Sequence, residues 1–523
     1  MRLKLLLAPF LVLMLICLPA SAKTFRWASQ GDLLTLDPHA QNEGLTVSVL
    51  NQVYEALTRR DRNWKLAPEL AVSWANVSPT VWRFKLRANV KFHDGTPFTA
   101  DDVVFSLERA MAPTSNFKSN VAGIKGVKKI DQLTVEIATE GPNPVLLEQL
   151  ATVRIMSRVW SEKNKVEKPQ NFAAKEETFA ARHATGTGPF MVKTREPDVK
   201  TVLTANPDWW GKHEGNVTDV VYLPIKSDAT RVAALISGEV DFVLDPAPQD
   251  IPRLRATPGI VILEGRENRV IFLGFDQFRD ELLYSNVKGR NPFKDPRVRE
   301  AVYQAIDVEA IKAKVLRGLA VPTGSLVAAQ VNGYSAGADK RLPYDPVRAR
   351  QLLTEAGYPS GFQVTLDCPN NRYIQDEQVC QAIAAMLAKA GIAVRLDALP
   401  RVQYFPKIQK GDTSFYLLGI LPTTHDAWIS LFSIAHSVGK EGAGDWNFGR
   451  YANPKLDALI DAIRVELDPA KRNRLIEQGL ILHNADVGHI PLYQQVIPWA
   501  MRSNIKAVHT PDNFLEIRWV SVE

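Results

Sequence analysis

Trp82-Arg-Phe-Lys-Leu-Arg-Ala-Asn-Val-Lys-Phe-His-Asp-Gly-Thr-Pro-Phe-Thr-Ala-Asp-Asp-Val-Val-Phe-Ser-Leu-Glu-Arg109 is the stretch whose reading decides the fold. Trp82, Phe84 and Leu86 alternate with charged residues, the pattern of a half-buried strand. Asp94-Gly95 supplies a tight turn before Pro97. Thr99 and Asp102 stand at capping-box spacing and open a helix whose Val103, Val104 and Leu107 are apolar. Strand, turn and capped helix follow one another with no chemistry among them.

Outward from this unit the same grammar recurs. Asp295-Pro296, Asp345-Pro346, Asn453-Pro454 and Asp468-Pro469 each place an oxygen acceptor at an N-cap and a proline at the first helical position. After Asp295, residues Val298, Ala301, Val302, Ala305 and Ile306 share one helical face, so that helix packs on a core. The pattern after Asp345 runs to Gly357 and Pro359, a glycine stop and a residue that cannot continue. Asp228 is read as the cap of a helix ending at Gly238, with Val240 to Leu244 a buried strand. Alternation of this kind predicts sheets flanked by helices.

The chain has 523 residues, 46% of them hydrophobic and 23% charged, which excludes disordered, collagenous and coiled-coil classes and calls for more than one lobe. Sixty-three Lys and Arg against 57 Asp and Glu leave a formal charge of +6, without a basic run, so nucleic acid is not the expected partner. Arg2 and Lys4 precede an apolar run from Leu5 to Leu18 and then Pro19-Ala20-Ser21-Ala22. This reads as an export signal over residues 1–22, cut between Ala22 and Lys23. No later segment stays apolar for the roughly 20 residues of a membrane span. Cys17 leaves with the signal, and Ile16 stands where a lipoprotein signal carries a small residue. Cys368 and Cys380 then form an even count in an oxidising compartment, read as one disulfide worth about 3 kcal/mol. The rival reading is a Cys/His metal site, for which no CxxC or HxxxH spacing lies nearby.

The segment Phe84 to Arg109 resembles the signature of the solute-binding proteins of bacterial ABC importers, family 5, the class of oligopeptide-, dipeptide- and nickel-binding proteins. The resemblance continues in order through Leu36-Asp37-Pro38, Val53-Tyr54-Glu55, Gly186-Thr187-Gly188-Pro189-Phe190 and Ala234-Leu235-Ile236-Ser237-Gly238-Glu239-Val240-Asp241. Pro292 to Arg299, Ala305-Ile306-Asp307, Leu352 to Tyr358 and Ile490-Pro491-Leu492-Tyr493 extend it over nearly the whole mature chain. It implies an α/β, two-lobed periplasmic binding protein fold, class II-like with an extra inserted subdomain. Lobe I would comprise residues 23–70, 186–275 and 498–523, the inserted subdomain 71–185, and lobe II 276–497, with crossings near Asp276 and Pro498 as the hinge. It also implies a periplasmic monomer that closes over a peptide-like solute and hands it to an inner-membrane permease driven by cytoplasmic ATPases, with neither cofactor nor catalysis.

In the family's peptide binders a Gly-Trp is followed, three residues after the Trp, by an Asp that pairs with the peptide ammonium. Aligned on Gly419, Ile420 and Thr423 take those two places, which withdraws a charge-assisted contact worth roughly 1.5 to 3 kcal/mol. Asp426 is placed to take over the cationic group, or else caps the residues from Ala427. Trp428, Trp446, Asn447 and Tyr404 are the expected cleft residues, with Arg372 as a carboxylate partner; their competing reading is core packing and a solvated loop. Opines, sugars, metal chelates and haem remain alternative solutes. Two other classes stand beside the receptor: a secreted hydrolase on the same fold, and a holdase with an open apolar groove. His93-Asp94 lacks the further ligands a metal site needs, His483 with His489 and His425 with His436 lack metal spacing, and no phosphate loop or nucleophile elbow occurs.

Overall fold

Two long strands, Ile260–Phe275 and Ile490–Arg502, run antiparallel through the middle of an 11-stranded sheet. On one side Ile260–Phe275 pairs with Phe415–Ile420, which leads to Phe362–Pro369 and Ile392–Leu399. On the other, Ile490–Arg502 pairs with Phe242–Val243, which leads to Thr24–Ser29, Asp219–Pro224, Lys200–Ala205 and Phe190–Glu196; Ala320–Pro322 pairs beside it. This computed structural model describes residues 23–523 apart from Ala173, Thr423, Glu441 and the side chain of Val402. The signal read at 1–22 and the Thr423 position therefore lie outside the described residues.

Each strand feeds cores by the two-residue alternation of its side chains. Ile271, Leu273 and Phe275 enter one core of the second lobe with Val298, Leu366 and Ile383. Val270 and Phe272, one position out of phase, enter another with Leu418, Leu456 and Ile476 on the opposite face. Burial on both faces explains why Val270 to Phe275 is a run without a polar residue, unlike the half-buried first part of the same strand. Phe25, Trp27, Tyr54, Tyr222 and Trp499 form the first lobe's main core. A separate core with Phe84, Leu107 and Val135 lies between a four-stranded antiparallel sheet and the helix Ala100–Met111.

Local expectations hold where the chemistry is local. Thr99 and Asp102 form the capping box, and Asp295, Asp345, Asn453 and Asp468 each accept backbone N–H groups at a helix start. The exception is the helix Asp228–Ser237, capped by Ser227, whose hydroxyl accepts from the Thr230 N–H; Asp228 is its first helical residue and pairs with Arg231 instead. Regular pairing near Val240 to Leu244 shrinks to Phe242–Val243, flanked by single bonds from Asp241 N–H to the Arg26 carbonyl and from Leu244 N–H to that of Ala28.

The signature segments meet at one junction. His93 Nδ1 accepts from the Gly186 N–H and its Nε2 donates to the Gly188 carbonyl. A β-carbon on Gly186 would lie 2.0 Å from the Val53 carbonyl oxygen, so the two backbones touch only because position 186 has none. Glu55 accepts from Thr187, Trp209 and Trp210. Arg109 binds Asp37 through two 2.7 Å bonds with both side chains sealed from solvent. His93 is thus a neutral clasp with both ring nitrogens engaged by backbone groups; among the described residues no group of three or more His, Cys, Asp or Glu converges.

Two predictions follow from these contacts. Arg109→Met should cost about 3 to 5 kcal/mol in a denaturant titration, because it leaves the Asp37 carboxylate buried and unpaired. Burial holds His39 near 3, with Arg109 adding to the fall, and His93 near 4. The unfolded chain takes up these protons below about 6.5 and the folded chain does not, so stability should fall as pH drops from 6.5 towards 4. In His93→Gln the slope of stability against pH in that window should be shallower by up to about 1.4 kcal/mol per pH unit.

Candidate functional site

A cavity of about 1060 Å³ opens between the lobes where the two long strands cross. Its first-lobe wall is built by Arg59, Arg60 and Trp64 of one hairpin, by Arg154, and by the C-terminal stretch holding Asp512, Glu516, Arg518 and Trp519. Arg372, Arg401, Phe405, Leu421 and His425 form the facing wall, and Glu267 and Arg269 of the crossing strand form the floor. The register of that strand breaks between Arg266 and Val270, which frees its backbone groups. Gln494 and Gln495 repay the break by donating to the carbonyl and carboxylate of Glu267. His425 meets Trp64 edge to face across the gap at 5.1 Å and accepts from Asn268 at 3.1 Å, joining both lobes and the crossing.

Cys368 and Cys380 are bonded, closing the end of strand Phe362–Pro369 onto helix Asp376–Ala390. The enclosed loop is pinned again by Asp376, whose carboxylate accepts from the N–H groups of Arg372 and Tyr373. Arg372 therefore faces the cavity from a rigid loop, its guanidinium over the Tyr373 ring. Burial holds its pKa below the usual range, and the like charge of Arg269 adds to the fall. Neither Arg372 nor Arg401 has a carboxylate within 4 Å among the described residues.

The other residues expected here sit behind the wall. Asp426 is sealed, bound to Arg472 by two 2.7 Å contacts, to Asn332 at 2.8 Å and to the Trp428 N–H at 2.8 Å. Every lone pair it would offer an ammonium group is occupied, and its work is to cap the turn from Ala427. Asn447 bonds to the His436 and Tyr451 backbones, and Tyr404 donates to the Leu417 carbonyl from a dry core. Trp428 stacks on Phe432, and half-exposed Trp446 packs on Phe405 and Phe448. None of the five lines the cavity, whereas Arg372 does.

Among the described residues the charged part of the lining is seven arginines and seven carboxylates, with no lysine. Arg60 pairs with Glu148, Arg518 with Glu516, Arg269 with Glu267 and Arg195 with Asp32. Among the described residues Asp512 and Asp245 have no cation within 4 Å; burial pushes Asp512 up to about 7, helped by Glu516, and also raises Asp245. Burial drives His425 down to about 3, so it stays neutral beside Arg60.

The family description "Bacterial extracellular solute-binding proteins, family 5 Middle" matches residues 65–442. A glutathione-binding protein of Shigella flexneri is 28% identical over 93% of this chain and 91% of its own. The structure of HbpA2 from Haemophilus parasuis superposes with a TM-score of 0.83 at 23% identity, covering 96% of this chain and 100% of that one. The periplasmic binding protein DppA of Helicobacter pylori, in complex with the peptide STSA, gives 0.74 at 23% over 96% and 98%. These likenesses run the length of both lobes, so the fold is the two-lobed periplasmic binding protein fold.

Asp426→Asn should cost about 3 kcal/mol of stability, because Arg472 then lies buried without its charge partner. Trp446→Ala, which empties no sealed core, should cost less than about 1 kcal/mol in the same urea titration.

Proposed function

The chain belongs to the bacterial extracellular solute-binding proteins, family 5, and from that premise we propose that it captures a peptide or peptide-like solute between its lobes and delivers it to an ABC permease. Residues 23–70, 186–275 and 498–523 act as lobe I, 71–185 as an inserted subdomain, and 276–497 as lobe II. Separate hydrophobic cores support a division of this kind, with two departures at its edges: Val270 to Phe275 pack into the cores of lobe II, and Met156, Trp160, Val166 and Ala180 pack into that of lobe I. The single observation that carries the reading is the cavity itself: it draws its walls from both lobes and its floor from the paired strands that join them. A solute touching both walls loses water on every side, which strengthens each polar contact and favours the closed state.

Arg372, rigidly presented and without a carboxylate of its own, takes a carboxylate of the solute, with Arg269 and Arg401 beside it. Peptide ligands of the relatives support this choice, since glutathione and STSA both end in carboxylates. The protein works as a receptor and not as an enzyme. It acts in the periplasm, as a monomer, and among the described residues no helix is long and apolar enough to cross a membrane.

The test is a thermal-shift and scattering series on the mature protein with short peptides. A bound peptide should raise the melting temperature with dose and shrink the radius of gyration, and the peptide should be recovered intact. Arg372→Ala should weaken binding by about 10- to 150-fold while leaving the melting temperature of the unliganded protein within about 1 °C. Cleavage of the peptide, or a rigid shape with ligand bound, would sink the proposal.

A further inference from the structure

On the first-lobe wall, unpaired cationic and anionic groups stand side by side. Arg59 and Arg154 have no ion pair within 4 Å among the described residues, and the Nε of each is buried without an acceptor. Their nearest carboxylates are spoken for. Glu69 accepts the Ala56 N–H at 2.8 Å and lies 3.9 Å from Arg518, and Glu516 pairs with Arg518 at 3.1 Å. The indole N–H groups of Trp64 and Trp519, which line the same wall, are likewise buried donors without acceptors. Within electrostatic reach of Arg154 lies Asp512, which accepts the Phe514 N–H at 3.0 Å and, among the described residues, has no cation within 4 Å.

A purely anionic group would meet Asp512 and Glu516, and a purely cationic one would meet Arg59 and Arg154. A carbon that carries both charges satisfies the wall. We infer that this wall takes an α-amino-acid head of the solute, its carboxylate on Arg59 and Arg154 and its ammonium on Asp512. The inference rests on the receptor reading above and sharpens it. The far end of the same solute carries the carboxylate that Arg372 takes from the facing wall, so the favoured ligand has an acidic group at each end and its free ammonium beside one of them.

An ordinary α-linked peptide does not fit this description, because its N-terminal carbon carries an amide where the wall asks for a carboxylate. A γ-glutamyl linkage does. The same reasoning gives Asp512 a physical role: burial, helped by Glu516, raises its pKa to about 7, and an ammonium group placed against it would lower that value and favour the carboxylate.

Two isomers of equal mass and charge test the assignment, γ-L-glutamyl-L-alanine and α-L-glutamyl-L-alanine, titrated calorimetrically into the mature protein. The γ isomer should bind at least about tenfold more tightly, the worth of one charge-assisted hydrogen bond. Asp512→Asn should bring the two affinities within about threefold of each other, and Arg154→Gln should weaken the γ isomer about tenfold while changing the α isomer by less than about threefold. Equal affinities in the parent protein, or a γ preference that survives both substitutions, overturn the assignment. Binding of other peptides but of neither isomer also overturns it and leaves the receptor reading standing. If no solute in the peptide series raises the melting temperature, the receptor reading itself falls.

Discussion

The antiparallel pairing of Ile260–Phe275 with Ile490–Arg502 is the constraint on which the molecule depends. It makes one sheet of strands drawn from both lobes, and it is where the chain passes from one to the other. A strand pair is stiff along its length and soft in twist, so two lobes joined this way move as bodies and not as deformable masses. The register break from Arg266 to Val270 places the soft point a few residues before Asp276, and its partners Gln494 to Val496 lie just before Pro498. Gln494 donates to the Glu267 carbonyl and the Asn268 N–H donates to the Pro511 carbonyl, so backbone groups at the break find partners outside the ladder.

The signature segments serve this machine from a distance. Asp37 with Arg109 and His93 with Gly186 and Gly188 tie residues 71–185 to the stretches before and after them, and Glu55 with Thr187 and two tryptophans ties those two flanking stretches to each other. None of these contacts reaches the solute directly.

Which parts of this were legible beforehand follows from range. A capping box needs residues three apart, and an Asx-Pro start needs residues one to three apart, so both could be read directly from the chain. The Asp228 helix was misread by one residue because Ser227 and Asp228 both qualify as caps, and the choice fell to the Arg231 side chain. Asp426 looked available because its partner, Arg472, is 46 residues away on another helix. The cavity wall was hidden for the same reason. Arg59, Arg154, Arg269, Arg401 and Asp512 come from five separate stretches, and no local pattern marks them as neighbours. Arg372 could be singled out because one covalent loop already set it apart.

That loop has a consequence for when the protein becomes competent. The Cys368–Cys380 bond ties a strand end to a helix start, beside the arginine that faces the cleft. Thiols stay reduced in a bacterial cytosol and couple outside it. In a reducing compartment this corner would be untethered, and in an oxidising one the bond locks it. The stiffness of the wall thus answers to the redox state around it: Arg372 stands on a closed loop where the bond can form and on an open one where it cannot.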